Sequence, residues 1–249
     1  MRTEVADQIT PLTLEEAIEA FAEAHERCMG QLPTARTLAA LVGHSALETG
    51  HWKSCHNWNF GNEKASADWT GDVVTFKCDE TFDGPTAMQA KRLGAGAILT
   101  PKPDGKVHVW LPAGHPWAYF KAFAKAADGL LQQLILLATR ERYERAWHYF
   151  CLGDAYNAAL SLGAAGYYTA PDKPGYSRSV ASIAAKILPA CTSYLAGNGH
   201  AVDDELRAWT LQQALVYSTL QQSVQESDTD PAPPPTEHDE LSPITERNT

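Results

Sequence analysis

The chain has 249 residues, 44% of them hydrophobic, and a formal net charge of −10, a composition typical of one ordinary globular protein. Residues 226–249 hold seven acidic side chains and one arginine, and so carry −6 of that charge. No basic stripe is present to neutralise phosphates, which argues against nucleic acid as a partner. No apolar run approaches the roughly 20 residues of a membrane span, so none is expected.

Two helices are predicted near the amino terminus. Thr13 and Glu16 form the pattern of a capping box, which predicts a helix from there to about Met29. A second helix is predicted from Thr34 to Glu48, because small and apolar residues recur along it and Gly50 follows.

Glu48 stands at the end of this apolar helical run. Leu41 and Ser45 share its helix face, so we expect the carboxyl to be partly buried and its pKa to be raised. A loop rich in asparagine and aromatic residues, 57–62, follows within ten residues. A proton donor beside aromatic and amide side chains is what cleavage of a glycosidic bond requires.

The rest of the chain predicts a mainly α (α+β) fold with a small inserted β-lobe at about 55–119. Strands are predicted at 69–77 and 106–111, separated by a Gly/Pro loop over 94–105. Helices are predicted, in chain order, over 85–93, 128–150, 155–162 with Gly163 as its stop, 176–188 and 202–223. Prolines and acidic residues predict a disordered tail over 226–249.

Five cysteines, an odd number without a CxxC pair, indicate reduced thiols, although a Cys55–Cys78 bridge is an alternative. His51, Cys55, His56 and Cys78 match no standard zinc spacing, so no metal and no cofactor is expected.

Several motifs occur together in one order: E-T-G at Glu48, N-W-N-F-G-N at 57–62, a Thr-x-x-x-x-Glu stretch ending at Glu80, F-K-A-F, R-Y-E-R-A, and G-Y-Y-T…Y at 166–176. Together they resemble the endo-β-N-acetylglucosaminidases of bacteria and phages, which are lysozyme-like peptidoglycan hydrolases of glycoside hydrolase family 73. The resemblance covers about residues 34–190. It implies a lysozyme-like helical domain over residues 1–195, and the apolar pattern beyond this domain predicts a C-terminal helix within 196–225.

The resemblance also implies roles for individual residues. Glu48 matches the catalytic acid, Glu80 the second acidic residue, and Tyr167 a tyrosine that lines the scissile-bond subsite. Substrate-binding positions carried over in the same way are Asn57, Trp58, Asn59, Phe60, Gly61 and Tyr168.

The second carboxylate is open at this stage, since Asp72, Asp79 or Asp83 could serve instead of Glu80. A base about 6.5–9.5 Å from the acid would activate water and invert the configuration. Without such a base, the acetamide group of the substrate could act as the nucleophile, with retention.

The implied substrate is the peptidoglycan glycan strand, cut between N-acetylglucosamine and N-acetylmuramic acid. Alternatives are a lytic transglycosylase, a chitinase or a muramidase of the same superfold, or a non-catalytic glycan-binding component of a phage tail or secretion apparatus. Residues 1–14 do not have the pattern of a signal peptide, so we expect synthesis in the cytoplasm and delivery by lysis, a virion or a secretion apparatus. This suits a phage or prophage component better than a secreted autolysin. The C-terminal helix or tail could bind a protein partner.

Overall fold

The computed structural model describes residues 2–94, 96–168 and 170–198. These residues form two compact units, one made of 2–10 and 55–125, the other of 11–54 and 126–198. The predicted helix at 202–223 and the tail at 226–249 lie outside the described residues.

The first unit contains the strands. A three-stranded sheet has the order β1-β2-β6, with β1 parallel to β2, and a second, antiparallel sheet has the order β3-β5-β4. One helix, α3, packs on β5. The bounds are β1 Thr3–Glu4, β2 Asp72–Thr75, β3 Cys78–Phe82, α3 Gly84–Leu93, β4 Ile98–Pro101, β5 Val107–Leu111 and β6 Tyr119–Lys121.

The second unit is entirely helical. Its elements are α1 Leu14–Met29, α2 Ala35–Glu48, α4 Ala126–Thr139, α5 Glu144–Cys151, α6 Ala155–Ala164 and α7 Lys173–Gly197. Helix α2 packs against α1, α5, α6 and α7, and every residue from Ala35 to Ala46 except Arg36 is buried. Such a helix is apolar on all sides because it lies at the centre of a bundle. A mainly helical α+β fold with a strand-containing insertion is thereby confirmed.

The helix predicted over 128–150 is broken in two. Leu130, Leu134 and Leu137 are buried on α4, but continuing that helical period would place the charged Arg140 and Glu141 in the core. Instead Arg140 adopts an extended conformation and a short 3-10 turn follows. The break changes the helical phase, so that Tyr143 and the inner face of α5 become buried.

Four strands were not predicted: β1, β3, β4 and β6. Strand β3 is acidic and β4 lies in the segment expected to be a Gly/Pro loop, so neither has the apolar alternation of an isolated strand. Both form because β5 lies between them and pairs with each, with Glu80 opposite Val109 and Leu99 opposite Val109. Strand pairing rather than local sequence specifies them.

Helix α7 runs through Pro189, where a helix end was predicted. Its buried stripe continues past the proline at Cys191 and Leu195, which keeps the same face against the bundle. By length and apolar composition this is the one helix among the described residues that could cross a membrane. A helix of a globular core meets the same criterion, so the expected absence of a membrane span stays untested.

Candidate active site

Thr34 caps the amino-terminal end of α2, since its hydroxyl accepts a hydrogen bond from the Thr37 N–H. The last residue of the helix is Glu48. Beyond Glu48 the chain turns sharply, since Gly50, His51 and Trp52 all have left-handed backbone angles, with φ of 57°, 55° and 61°. Such angles are costly for residues other than glycine and persist only where the surroundings enforce them.

Hydrogen bonds from the end of α2 stabilise this turn. The Thr49 hydroxyl donates to the carbonyl of Ser45 (2.7 Å) and accepts from the Trp52 N–H (2.9 Å). The Trp52 indole N–H donates to the Ser45 hydroxyl (3.1 Å), and the ring is buried. Trp52 therefore packs against the helix that carries Glu48 and holds its end in place.

The Glu48 side chain is 8% exposed. The Tyr176 hydroxyl, from the first turns of α7, donates a hydrogen bond to its Oε1 atom. The same oxygen lies 3.7 Å from Nε2 of His44, one helical turn earlier. Burial raises the pKa of Glu48 to about 8 and lowers the pKa of His44 to about 4. Both groups are therefore neutral at pH 7, and their contact is a polar contact rather than an ion pair.

Tyr168 packs against the ring of Tyr176. Their rings stack with centroids 3.9 Å apart, and the Tyr168 hydroxyl donates to the carbonyl of Ala159 (2.9 Å). Burial is the main cause that raises the pKa of Tyr168, and the nearby Glu48 carboxylate adds to it. Gly163, predicted as a helix stop, lies inside α6, where an added Cβ would come within 2.6 Å of the Tyr168 oxygen. This glycine makes room for the tyrosine.

Tyr167, matched by the family resemblance to the scissile-bond subsite, lies in the interior of the helical unit. Its side chain is 1% exposed, and its hydroxyl accepts a hydrogen bond from Gln133 (3.1 Å). The ring also contacts Tyr143 and His44, with centroids 5.5 and 5.6 Å away. Of the three tyrosines, Tyr176 hydrogen-bonds the candidate acid, while a catalytic role for Tyr167 stays a prediction.

The loop at 57–62 belongs to the strand-containing unit. The Asn57 amide accepts from the N–H of Gln8 (3.0 Å) and donates to the carbonyl of Ala6 (2.9 Å). The Asn59 amide donates to the carbonyls of Glu63 and Lys121 (2.9 Å each) and accepts from the Glu63 N–H (2.8 Å). Both amides tie backbone segments together.

The aromatic residues of this loop differ in exposure. Phe60 and Gly61 are buried, whereas Trp58 is half-buried and stacks on Phe60 with centroids 6.3 Å apart. Asn57, Trp58 and Asn62 all have φ near +50°, so the loop is as constrained as the turn after Glu48. Trp58 is the substrate-binding candidate of this loop whose ring is partly accessible.

Glu80 lies on β3, and its carboxylate forms an ion pair with Lys64, with Nζ and Oε1 2.7 Å apart. Lys64 also donates to the carbonyl of Trp117 (3.0 Å), which fixes its position. The side chain of Glu80 is 12% exposed.

The alternative carboxylates have other surroundings. Asp83 caps α3 by accepting from the Thr86 N–H (2.8 Å), a hydrogen bond that lowers its pKa. Asp79 lies 3.9 Å from His108, and Asp72 is exposed on β2. Glu80 is the most enclosed of the four.

Sequence reasoning did not single out His44, Lys64 or Tyr176 as functional. Tyr176 was visible only as the last residue of the G-Y-Y-T…Y pattern, and its partner Glu48 is 128 residues away. Lys64 follows the asparagine-rich loop, where its charge could have indicated an ion pair with the acidic stretch at 79–83. His44 carried one signal, its position four residues before Glu48.

None of the five cysteines, all within the described residues, is in a disulfide. The described residues also contain no group of three or more His, Cys, Asp or Glu side chains placed to hold a metal ion.

Comparison with known proteins gives two similar structures. The chain matches no family model, and no curated protein matches it. The glycoside hydrolase domain of Salmonella typhimurium FlgJ is 20% identical, with 74% of this chain and 91% of that domain covered and a TM-score of 0.43. A peptidoglycan hydrolase mutant from Sphingomonas sp. A1 is 19% identical, with 72% and 99% covered and a TM-score of 0.44.

Proposed function

We propose that this protein is a peptidoglycan hydrolase that cleaves the β-1,4 bond between N-acetylglucosamine and N-acetylmuramic acid, with Glu48 as the general acid. The observation that carries the proposal is the burial of the Glu48 carboxyl at the end of α2, where it is 8% exposed and accepts a hydrogen bond from Tyr176; this burial raises its pKa. The substrate class rests on the motif resemblance of residues 34–190. A neutral carboxyl at the end of a rigid helix is the group that glycosidases use to protonate a leaving group.

In this mechanism Glu48 gives its proton to the glycosidic oxygen as the bond to the sugar carbon breaks. Negative charge then develops on the carboxylate in a site with little water. The Tyr176 hydroxyl, which donates to Oε1, stabilises that charge. Tyr168 keeps the Tyr176 ring in place by stacking on it.

We propose Glu80, the position matched by the motif resemblance, as the second acidic residue; its Oε1 atom lies 2.7 Å from Lys64 Nζ. In the inverting mechanism it would take a proton from the attacking water. The substrate's own acetamide is the alternative nucleophile, and it needs no second carboxylate. Glu80→Gln separates the two, because the first mechanism loses most of its rate in this variant and the second keeps it.

For substrate binding we propose that Trp58 stacks on a sugar ring, since its ring is partly accessible and its backbone is constrained. Asn57, Asn59, Phe60 and Gly61 then act by shaping the loop. The delivery route, a phage or prophage origin and a protein partner stay predictions of the sequence.

The deciding experiment is digestion of purified peptidoglycan by wild type and Glu48→Gln, with mass spectrometry of the fragments before and after borohydride reduction. Glu26→Gln, an exposed substitution on α1, serves as the matched control. We expect reduced N-acetylglucosamine ends from wild type and Glu26→Gln, and no fragments from Glu48→Gln.

Other products would change the assignment. Muramic-acid ends would indicate a muramidase, and anhydro-muramic ends a lytic transglycosylase. If wild type and Glu48→Gln both bind the glycan and neither releases fragments, the protein is a binding module and the proposal is wrong.

A further inference from the structure

His44 has an unusual position for a buried histidine. Its side chain is 3% exposed, and its Nε2 atom has no hydrogen-bond partner among the described residues. A buried polar nitrogen without a partner is costly, and its presence calls for an explanation. Nε2 is directed at Glu48, with 3.7 Å between it and Oε1.

Two aromatic rings lie next to the imidazole. Phe150 of α5 and Tyr167 each lie with their centroids 5.6 Å from that of His44. The titratable groups around the Glu48 carboxyl are His44 from α2, Tyr176 from α7, and Tyr168, whose pKa the Glu48 charge raises. None of these carries a positive charge at pH 7 once burial keeps His44 neutral.

We propose that His44 is a positioning residue for Glu48, whose Nε2–H closes onto Oε1 when the carboxyl gives its proton to the substrate. The proposal rests on the proposed function. Tyr176 already donates to Oε1, so a second donor on that oxygen leaves Oε2 as the atom that carries and releases the proton. Movement of less than an ångström would bring the 3.7 Å separation to hydrogen-bonding distance.

The neutral state of His44 is part of this role. A cationic imidazolium at the same distance would favour the ionised form of Glu48, so the acid would lose its proton before the substrate bound. A neutral N–H donor instead offers a hydrogen bond that strengthens only as charge develops on the carboxylate. Burial of the imidazole thus preserves the proton on Glu48.

The first test is made on the wild type. Nitrogen-15 NMR of histidine-labelled protein reports which ring nitrogen carries the proton, and Glu48→Gln or His44→Gln identifies the His44 signals. We expect the Nε2–H tautomer at pH 7. An Nδ1–H tautomer would overturn the proposal, because Nε2 would then be an acceptor.

The second test is a carbon-13 titration of the Glu48 carboxyl in wild type, His44→Met and His44→Gln. Methionine removes the donor at similar volume, whereas the glutamine amide can replace it. We expect the pKa of Glu48 to rise in His44→Met and to return toward the wild-type value in His44→Gln. An unchanged or lowered pKa in a folded His44→Met protein would contradict the proposal.

Steady-state kinetics of the same His44 variants distinguish a hydrogen-bonding role of His44 from a packing role. We expect kcat of His44→Met to fall about tenfold with KM little changed, because a donor to a charged group is lost, and His44→Gln to recover most of the loss. Equal losses in both variants, with the Glu48 titration unmoved, would show a packing role only. The NMR tests need no glycan cleavage, so they still decide the His44 proposal if wild type proves inactive on peptidoglycan.

Discussion

Glu48 owes its protonated state to burial rather than to an acidic neighbour. Desolvation of the buried carboxyl raises its pKa to about 8. The residue therefore carries a proton at neutral pH, and both the reaction and the stability of the protein should depend on that proton.

The pH profile of activity should report this group. Hydrolysis requires Glu48 in its protonated form, so the rate should fall as pH rises through about 8. Initial rates of peptidoglycan clearing from about pH 3 to 10 would measure this limb. A limb near pH 4.5, the ordinary value, would show that Glu48 is not buried in solution.

The stability of the protein should also respond to Glu48. Because the pKa of Glu48 is raised in the folded state, its contribution to the free energy of unfolding is fully present below pH 4.5. That contribution is lost progressively as pH rises through about 8. Glu48→Gln removes this dependence, so its stability relative to wild type should increase with pH by up to about 1.4 kcal/mol per unit across that window.

Urea unfolding of both proteins at pH 4.5 and pH 8 measures the difference. His44 is present in both, so its own loss of stability below pH 6.5 largely cancels. A difference that stays constant with pH would contradict the burial of an uncharged Glu48.

At the scale of elements, α6 and the segment after it position the tyrosines behind the candidate acid. Gly163 has to lack a Cβ because the Tyr168 ring lies against it. Gly163→Ala should therefore destabilise the protein by about 1–3 kcal/mol and lower activity, since Tyr168 and then Tyr176 must shift.

Gly197→Ala is the matched control for this substitution. It is also a helical glycine, at the end of α7, and an added Cβ meets no atom of the described residues within 4 Å. Thermal unfolding should show a lowered Tm for Gly163→Ala and an unchanged or slightly raised one for Gly197→Ala. Equal Tm values for the two variants would show that Tyr168 does not pack on α6.

At the scale of the whole molecule, neither of the two units contains a disulfide, because none of the five cysteines is in one. Cys55 is buried and Cys78 half-buried in the strand-containing unit, and neither is in a disulfide. We expect the Tm to be the same with and without a reductant. A Tm that falls on reduction, together with a Cys55–Cys78 crosslinked peptide in mass spectrometry, would establish the alternative bridge.

Local signals in the sequence determined the elements that depend on near neighbours. The Thr13 capping box has both of its hydrogen bonds, α1 ends at Met29, and α2 ends at Glu48 as predicted. Caps, glycine stops and apolar periodicity act within a few residues, so the sequence alone can reveal them. The apolar face around Glu48 predicted its raised pKa for the same reason.

Tertiary structure decided which distant residues meet. Tyr176 rather than Tyr167 reaches Glu48, because the packing of α7 against α2 directs one ring toward the carboxyl and leaves the other in the core. Strand β3 forms only against β5, and α7 passes Pro189 because its buried stripe continues. Each of these outcomes depends on contacts between segments far apart in the chain, whose free energy outweighs the local preference of the residues involved.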